Sequence, residues 1–362
     1  MTIQNNTERM LEPYIESVEP ASYLTSFFSV PTNGMHNSDK ISVDVRADDN
    51  DTAFPVSDNG WHMNERDDFD NKEFTPAIFK EGFRISAKDL MQNRSIGDNP
   101  FVDPVFGTRA VDEINRLSIK CQKKIKNGME LMASQIFTTG QIALYDNVNK
   151  LKFSETFGAL STHFPNATTA WSTSATAVPL TDAKNLCDVI VADGRRIPRR
   201  WIMNSSTFDE MMSCTTVIAA LNAEIRLWKG EFGPQPVGTD TRGAVKQGTL
   251  KCGPYVLEIW TYDASYKKPY GGAQTKFIPD GKWIIESGGR MDATFGGLAN
   301  FGTDGRASRY FTRVSNAGML ADMSIVTWIE PDGTSMGIGA GTRPLLIPVA
   351  VNTFGCGDAD AA

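Results

Sequence analysis

One amphipathic helix constrains this chain more than any other feature. Between Arg109 and Phe137, the residues Val111, Ile114, Leu117, Cys121, Ile125, Met132 and Ile136 recur mostly at three- and four-residue intervals. That spacing lines them along one helical face. Gly140 follows the last periodic residue and supplies a stop. At about 1.5 Å per residue the helix runs roughly 40 Å, longer than the three or four turns usual in a globular domain. It suits a backbone element of a flat molecule, buried along one stripe and wet elsewhere. The wet side is charged: Arg116, Lys120, Lys123, Lys124 and Lys126 fall together with no acid among them. Such a face is either simply solvated or turned toward a polyanion or an acidic neighbour.

What precedes the helix has little core of its own. In the first forty residues, short apolar clusters (Leu11, Tyr14 and Ile15, then Tyr23, Leu24, Phe27 and Phe28) sit among Pro13, Pro20 and Pro31. Prolines this frequent prevent a long helix, and isolated clusters cannot offset the entropy of ordering. The segment reads as an arm that must lie on its own body or on a neighbour. Next, Ile41, Val43 and Val45 alternate with polar residues as a strand does, and Thr75 to Ser86 is the expected returning strand. The connection between them carries Asp48, Asp49, Asp51, Asp58, Glu65, Asp67, Asp68 and Asp70. At roughly thirty residues it is far longer than an ordinary loop. It is a solvated acidic loop or one that reaches basic partners on another copy. It lacks the spacing of an EF-hand.

After Gly140, the stretch from Gln141 to Phe153 reads as one long strand, and the Ser/Thr/Ala-rich passage from Ser161 to Ala177 as a connection. The second half reads as mixed α/β. Thr181 is placed to cap a helix that ends at Gly194. Trp201 to Met203 form a strand, Asn204 or Ser205 starts a helix through Met212, and Thr215 to Trp228 continues helically. Tyr255 to Tyr262 is a strand. Thr275 to Ile278 and Lys282 to Glu286 read as a hairpin around Pro279-Asp280-Gly281. Tyr310 to Val314, Ser324 to Glu330 and Leu345 to Val351 close the chain, and the tail GCGDADAA reads as frayed.

Several function classes are disfavoured. The net charge is -7, so any contact with nucleic acid must be local. Hydrophobic residues make up 41% and charged residues 22%, values that go with a folded chain. The start MTIQNNTERM carries no basic or apolar leader, and no apolar run suffices to span a bilayer. Cys121, Cys187, Cys214, Cys252 and Cys356 form no CxxC pair and read as reduced, buried residues, with no metal expected. Only His36, His62 and His163 could serve as histidine bases, and the first two fall in the arm and hairpin. There is no GxSxG, no HExxH and no phosphate loop. Gly337, Gly339 and Gly341 mimic part of a dinucleotide fingerprint, but Arg343-Pro344 follows and no helix begins there. Those glycines read as tight turns or close subunit approaches. The expectation is a chain without cofactor or catalysis.

Three passages carry a family resemblance. Phe74-Thr-Pro-Ala-Ile-Phe-Lys80 with Ile85-Ser-Ala-Lys-Asp-Leu90 resembles a returning hairpin strand and its exit. Met129-Glu-Leu-Met-Ala-Ser-Gln-Ile-Phe-Thr-Thr-Gly140 resembles a helix closing on a Thr-Gly turn. Ile278-Pro-Asp-Gly-Lys-Trp-Ile-Ile285 resembles a late hairpin, followed by glycines from Gly288 to Gly305. In this order they resemble the lambda-type major capsid protein E family of tailed bacteriophages, over roughly residues 40 to 330.

The resemblance implies an α+β chain with the tailed-phage major capsid fold. Its parts would be an N-terminal arm (1–38), an extended β-hairpin loop (39–92) and a peripheral domain (93–175) with a spine helix over 109–137. A mixed α/β axial domain (176–286), a return through the peripheral domain (287–344), and a closing axial strand with the tail (345–362) would follow. The function implied is self-assembly into hexamers and pentamers of an icosahedral head enclosing double-stranded DNA, with portal and scaffold proteins as partners, a decoration protein left open, and no membrane. The virion would be built in the host bacterial cytoplasm. Asp48, Asp49, Asp51, Asp67, Asp68 and Asp70 are then candidates to pair with Arg195, Arg196, Arg199 and Arg200 of another copy. Arg116, Lys120, Lys123, Lys124 and Lys126 are candidates to face packaged DNA. An encapsulin-like compartment shares the fold and is the nearest alternative. A carbohydrate-active enzyme, which would need a tuned carboxylate pair, is the alternative of another class.

Overall fold

The structure is a computed structural model, and it describes residues 20–32, 34, 40–46, 69–86, 106–146, 148–227, 242–267, 272–297, 300–301, 307–308, 312–316, 319–329 and 334–360. In chain order the elements are β1 (Ile41–Arg46), β2 (Phe69–Phe74), β3 (Phe79–Ser86), α1 (Phe106–Thr139), β4 (Gln141–Tyr145) and β5 (Leu151–Thr156). There follow α2 (Pro179–Gly194), β6 (Arg200–Met203), α3 (Ser205–Ser213), α4 (Thr215–Leu227), β7 (Ala244–Cys252), β8 (Tyr255–Tyr262), β9 (Ser265–Lys267) and β10 (Gln274–Lys276). The last are β11 (Lys282–Glu286), β12 (Met291–Phe295), β13 (Asn300–Phe301), β14 (Ala307–Ser308), β15 (Thr312–Asn316), β16 (Met319–Ile329), β17 (Ser335–Thr342), β18 (Pro344–Pro348) and β19 (Phe354–Asp358).

A five-stranded sheet, in the order β19-β11-β6-β8-β7, divides the core in two. Strand alternation does the dividing. Trp201, Met203, Leu257, Ile259, Trp283 and Ile285 point to one face, where they meet Ala183, Leu186, Cys187 and Ile190 of α2. Ile202, Ile284 and Cys356 point to the other face, toward Ile125, Met129, Met132 and Ile136 of α1. Trp171, Trp201 and Trp283 anchor the first cluster, with the 171 and 283 rings stacked at 5.4 Å. Such pairs contribute about 0.5–1.5 kcal/mol beyond their area. Cysteines 121, 187, 214, 252 and 356 are all free and buried, as the sequence suggests.

The long helix spans 34 residues, about 50 Å. It ends where expected: the Gly140 N–H donates to Ile136 O at 2.9 Å, and Gly140 takes φ +69°. Its N-terminal half lies on a second sheet, β15-β16-β17-β3, through Leu117 against Ile85 and Ile338.

Several sequence expectations need correction. β1 pairs with β2, Ile41 opposite Phe74 and Arg46 opposite Phe69. The strand expected to return, Thr75 to Ser86, instead contributes β3 to β17, some 250 residues later in the chain. Gln141 to Phe153 is two strands rather than one: the Asp146 carboxylate accepts from Val148 N (2.9 Å) and Lys150 N (2.8 Å) and turns the chain. Thr181 is not the cap of α2, because Pro179 occupies the first turn, where its missing N–H costs nothing. Gly194 ends α2, yet Arg195 takes the left-handed position; Gly194 is small because the Asn352 carbonyl packs against it. The Pro279-Asp280-Gly281 turn does not join a hairpin: β10 pairs with β9, and β11 lies between β19 and β6. Gly337, Gly339 and Gly341 are not in turns but inside β17. Through Asp360 the tail is not frayed. Its residues 354–358 are an edge strand, with Gly357 packed on the Trp283 ring. The passage from Ser161 to Ala177 carries the fully buried Trp171, and β7 went unread.

The arm's second cluster is seated in this chain's own core. Tyr23, Leu24 and Phe28 are buried beside α1. Ser29 N–H donates to Met291 O and Ala293 N–H to Ser29 O, at 2.9 and 2.8 Å, so the segment extends the β12–β18 ladder. The first cluster, Leu11, Tyr14 and Ile15, lies outside the described residues.

Candidate assembly surfaces

The basic stripe of α1 follows from helical geometry. Lys120 and Lys124 are one turn apart on the side opposite Cys121, Ile125 and Met129, so burying the apolar stripe turns them outward. β3 crosses beneath them. Both ammonium groups sit over the Phe83 ring, at 5.3 and 5.1 Å, and Lys124 Nζ reaches Glu81 Oε2 at 3.0 Å. Arg116 is exposed; Lys123 and Lys126 are half-buried. Lys120 and Lys124 are therefore engaged by β3, a partner that helical spacing cannot reveal.

Three of the four arginines expected to meet another copy act on a buried acid of their own chain. Glu286, on β11, is 3% exposed. Burial pushes its pKa up, while Arg200 most of all, then the Gly288 N–H, Arg199 and Arg196 pull it back. Arg200 Nη1 lies 3.8 Å from Glu286 Oε2, and its guanidinium covers the Phe27 ring at 5.0 Å. Arg196 Nη1 donates to Gly288 O at 2.6 Å. The Arg195 and Arg199 side chains are exposed, and between them Ile197 is 69% exposed.

Of the acidic candidates, Asp70 falls in β2 opposite Val45. Asp48, Asp49, Asp51, Asp67 and Asp68 lie outside the described residues, as do His36 and His62. His163 is buried and joins two elements: its Nδ1 meets Phe354 O at 2.8 Å and its Nε2 meets Asp193 Oδ2 at 3.0 Å. It is a packing joint. Among the described residues no cluster of His, Cys, Asp or Glu could hold a metal ion, and no helix is long and apolar enough to cross a membrane.

One surface went unread. The tip of the β4–β5 hairpin presents Tyr145 (61% exposed), Val148 (75%) and Leu151 (48%) together. Once the Asp146 turn folds 141–156 into a hairpin, these residues come to its end. The sequence signal was Asp146-Asn-Val-Asn, a turn-forming run inside the supposed strand.

The model of phage major capsid protein E matches residues 9–354. The chain belongs to the phage major capsid protein E family. Its fold is accordingly that of the tailed-phage major capsid proteins. A protein described as a prophage capsid protein of E. coli CFT073 superposes with a TM-score of 0.57 at 13% identity, covering 81% of this chain and 80% of that one. The SrpI encapsulin of Synechococcus elongatus PCC 7942 aligns over 100% and 97% of the two chains, with a TM-score of 0.48 and 10% identity. The capsid of Myoviridae phage XM1 aligns over 94% and 92%, with a TM-score of 0.45 and 7% identity. No curated protein matches the chain. For a phage major capsid protein, the spine helix expected over 109–137 is contained in α1.

Proposed function

We propose that this phage capsid protein assembles with copies of itself into hexamers and pentamers of an icosahedral head around double-stranded DNA. It does so in the host bacterial cytoplasm, with portal and scaffold proteins as partners, and it catalyses no reaction. What carries the reading is the family match over 9–354 together with apolar side chains held outward on projecting elements: Tyr145 and Val148 at the hairpin tip, Ile197 on the arginine loop. A neighbouring copy packed on the hairpin tip takes its apolar group of Tyr145, Val148 and Leu151 out of water.

In this reading the acidic stretch from Asp48 to Asp70 laps onto a neighbour, and the exposed Arg195 and Arg199 are its counterpart. Arg200 is committed to Glu286 and Arg196 to the Gly288 carbonyl. Single exposed ion pairs contribute about 0–1 kcal/mol, but a lattice repeats them. The α1 stripe of Arg116, Lys120, Lys123, Lys124 and Lys126 is the face that meets DNA in this reading.

Replacing Asp67 and Asp68 with Lys tests the lapping contact: electron microscopy of lysates should show fewer closed heads. Heads in normal yield would remove the pairing. Lysine labelling of full and empty heads tests the DNA face; equal labelling of Lys123 and Lys126 would remove it.

A further inference from the structure

The joint between the N-terminal segment and the body is built around a buried acid. Glu130 lies on α1 and is 0% exposed. Its Oε1 accepts from Leu24 N (2.7 Å) and Tyr262 OH (2.6 Å). Its Oε2 accepts from Thr25 N (2.9 Å) and Thr25 Oγ1 (2.8 Å). All four donors are neutral. Three of them belong to the segment, where Thr25–Phe27 is a 3-10 turn and the carboxylate serves as its cap.

The same joint holds a second uncomfortable group. The Tyr23 phenol is buried, and its oxygen finds no hydrogen-bond partner among the described residues. Its ring packs on Tyr262 (5.2 Å) and Trp260 (5.8 Å). A carboxylate paired only by neutral donors and an orphan hydroxyl are both costly in a dry interior. They sit side by side where the N-terminal segment meets the body, and lifting the segment would hydrate both at once.

We propose that residues 20–32 form a releasable clasp whose catch is Glu130: the segment leaves the body as a unit when the carboxylate is rehydrated, while α1 and the five-stranded sheet stay folded.

The device has a pH dependence with a definite sign. Closing the segment takes Glu130 out of water, and burial raises its pKa against the opposing hydrogen bonds from Tyr262, Thr25 and Leu24. The closed form thus binds the proton more tightly than the open form. Closure is strongest below the open-state pKa and weakens as pH rises toward the raised value. Within that window opening increases by up to about tenfold per pH unit, and above it the dependence flattens. Other ionisable groups face the joint: Tyr262 and Glu258 from β8, Arg200 from β6, and Glu286 from β11, all near Tyr23 or Glu130. Glu286 is also raised by burial, so the test must separate the two acids.

The experiment is hydrogen exchange of the full-length protein from about pH 4.5 to 9, expressed as protection factors so that intrinsic rates cancel. Amides of Leu24 to Ser29 should lose protection with rising pH while those of Met132 to Phe137 hold theirs. Glu130→Gln should abolish the slope and keep the segment closed at high pH, because its uncharged amide resembles the protonated acid that the closed form favours. Tyr23→Phe should close it by about tenfold, since the orphan hydroxyl is gone. A wild-type segment whose protection ignores pH, or that opens only together with Met132 to Phe137, overturns the clasp. So does a wild-type slope retained in Glu130→Gln, which would assign the titration to Glu286. Should Glu130→Gln fail to fold, the wild-type series and Tyr23→Phe decide: no gain in protection from Tyr23→Phe contradicts the strained joint.

Discussion

At Gly357 the backbone of β19 passes directly over the Trp283 ring, and a Cβ built there overlaps ring atoms. Gly357→Ala must push the strand or the indole aside, which we expect to cost about 1–3 kcal/mol or more. Chemical denaturation of the unassembled subunit measures it; an unchanged midpoint would mean that the edge strand shifts freely. Lys124 illustrates the opposite limit. Its pair with Glu81 is half exposed on both sides, so a double-mutant cycle should give a coupling below about 1 kcal/mol. The cluster of lysines was legible in the sequence, but their footing on Phe83 was not. Helical spacing fixes which side a lysine faces, and nothing in it says which strand runs beneath. The arginines repeat the point: four in six residues stand out, whereas the acid on which three of them act, Glu286, is ordinary in sequence and found only by burial.

Elements whose signals are local were readable. The α3 cap is one: Asn204 Oδ1 accepts from Thr207 N at 2.8 Å. The Gly140 stop and the strand ending at Tyr262 are others. Pairings were not readable, because period-two alternation names a strand without naming its neighbour; β3 finds β17 across most of the chain. The tail misled for the same reason. GCGDADAA looks featureless until β11 supplies a ladder and Trp283 a floor. Deleting residues 354–362 should therefore abolish soluble subunit, where a frayed end would have tolerated the loss; expression and solubility of the truncated chain check it. At the hairpin tip, hydrogen bonds from Lys150 N and Val148 N and the nearby Lys152 hold the Asp146 pKa below its ordinary value. The turn's stabilisation is thus present above the ordinary carboxylate pKa and lost as pH falls through the lowered one. Exchange of the Val148 and Lys150 amides should accelerate, relative to intrinsic rates, only in that acid range.

For the whole molecule, the family is fixed and the geometry of assembly is the proposal. The surfaces offered to neighbours are separable from the core that makes the subunit. Val148 is 75% exposed, so Val148→Asp should leave folding within about 0.5 kcal/mol of the parent yet lower the yield of closed particles. A drop in subunit stability of the same size as a core mutation would instead assign the tip to folding. The most direct measurement of the central claim is the particle size of the purified protein, by size-exclusion chromatography with electron microscopy of the leading fraction. The account predicts closed shells of megadalton mass. A monodisperse 40-kDa monomer that persists at high concentration would contradict it.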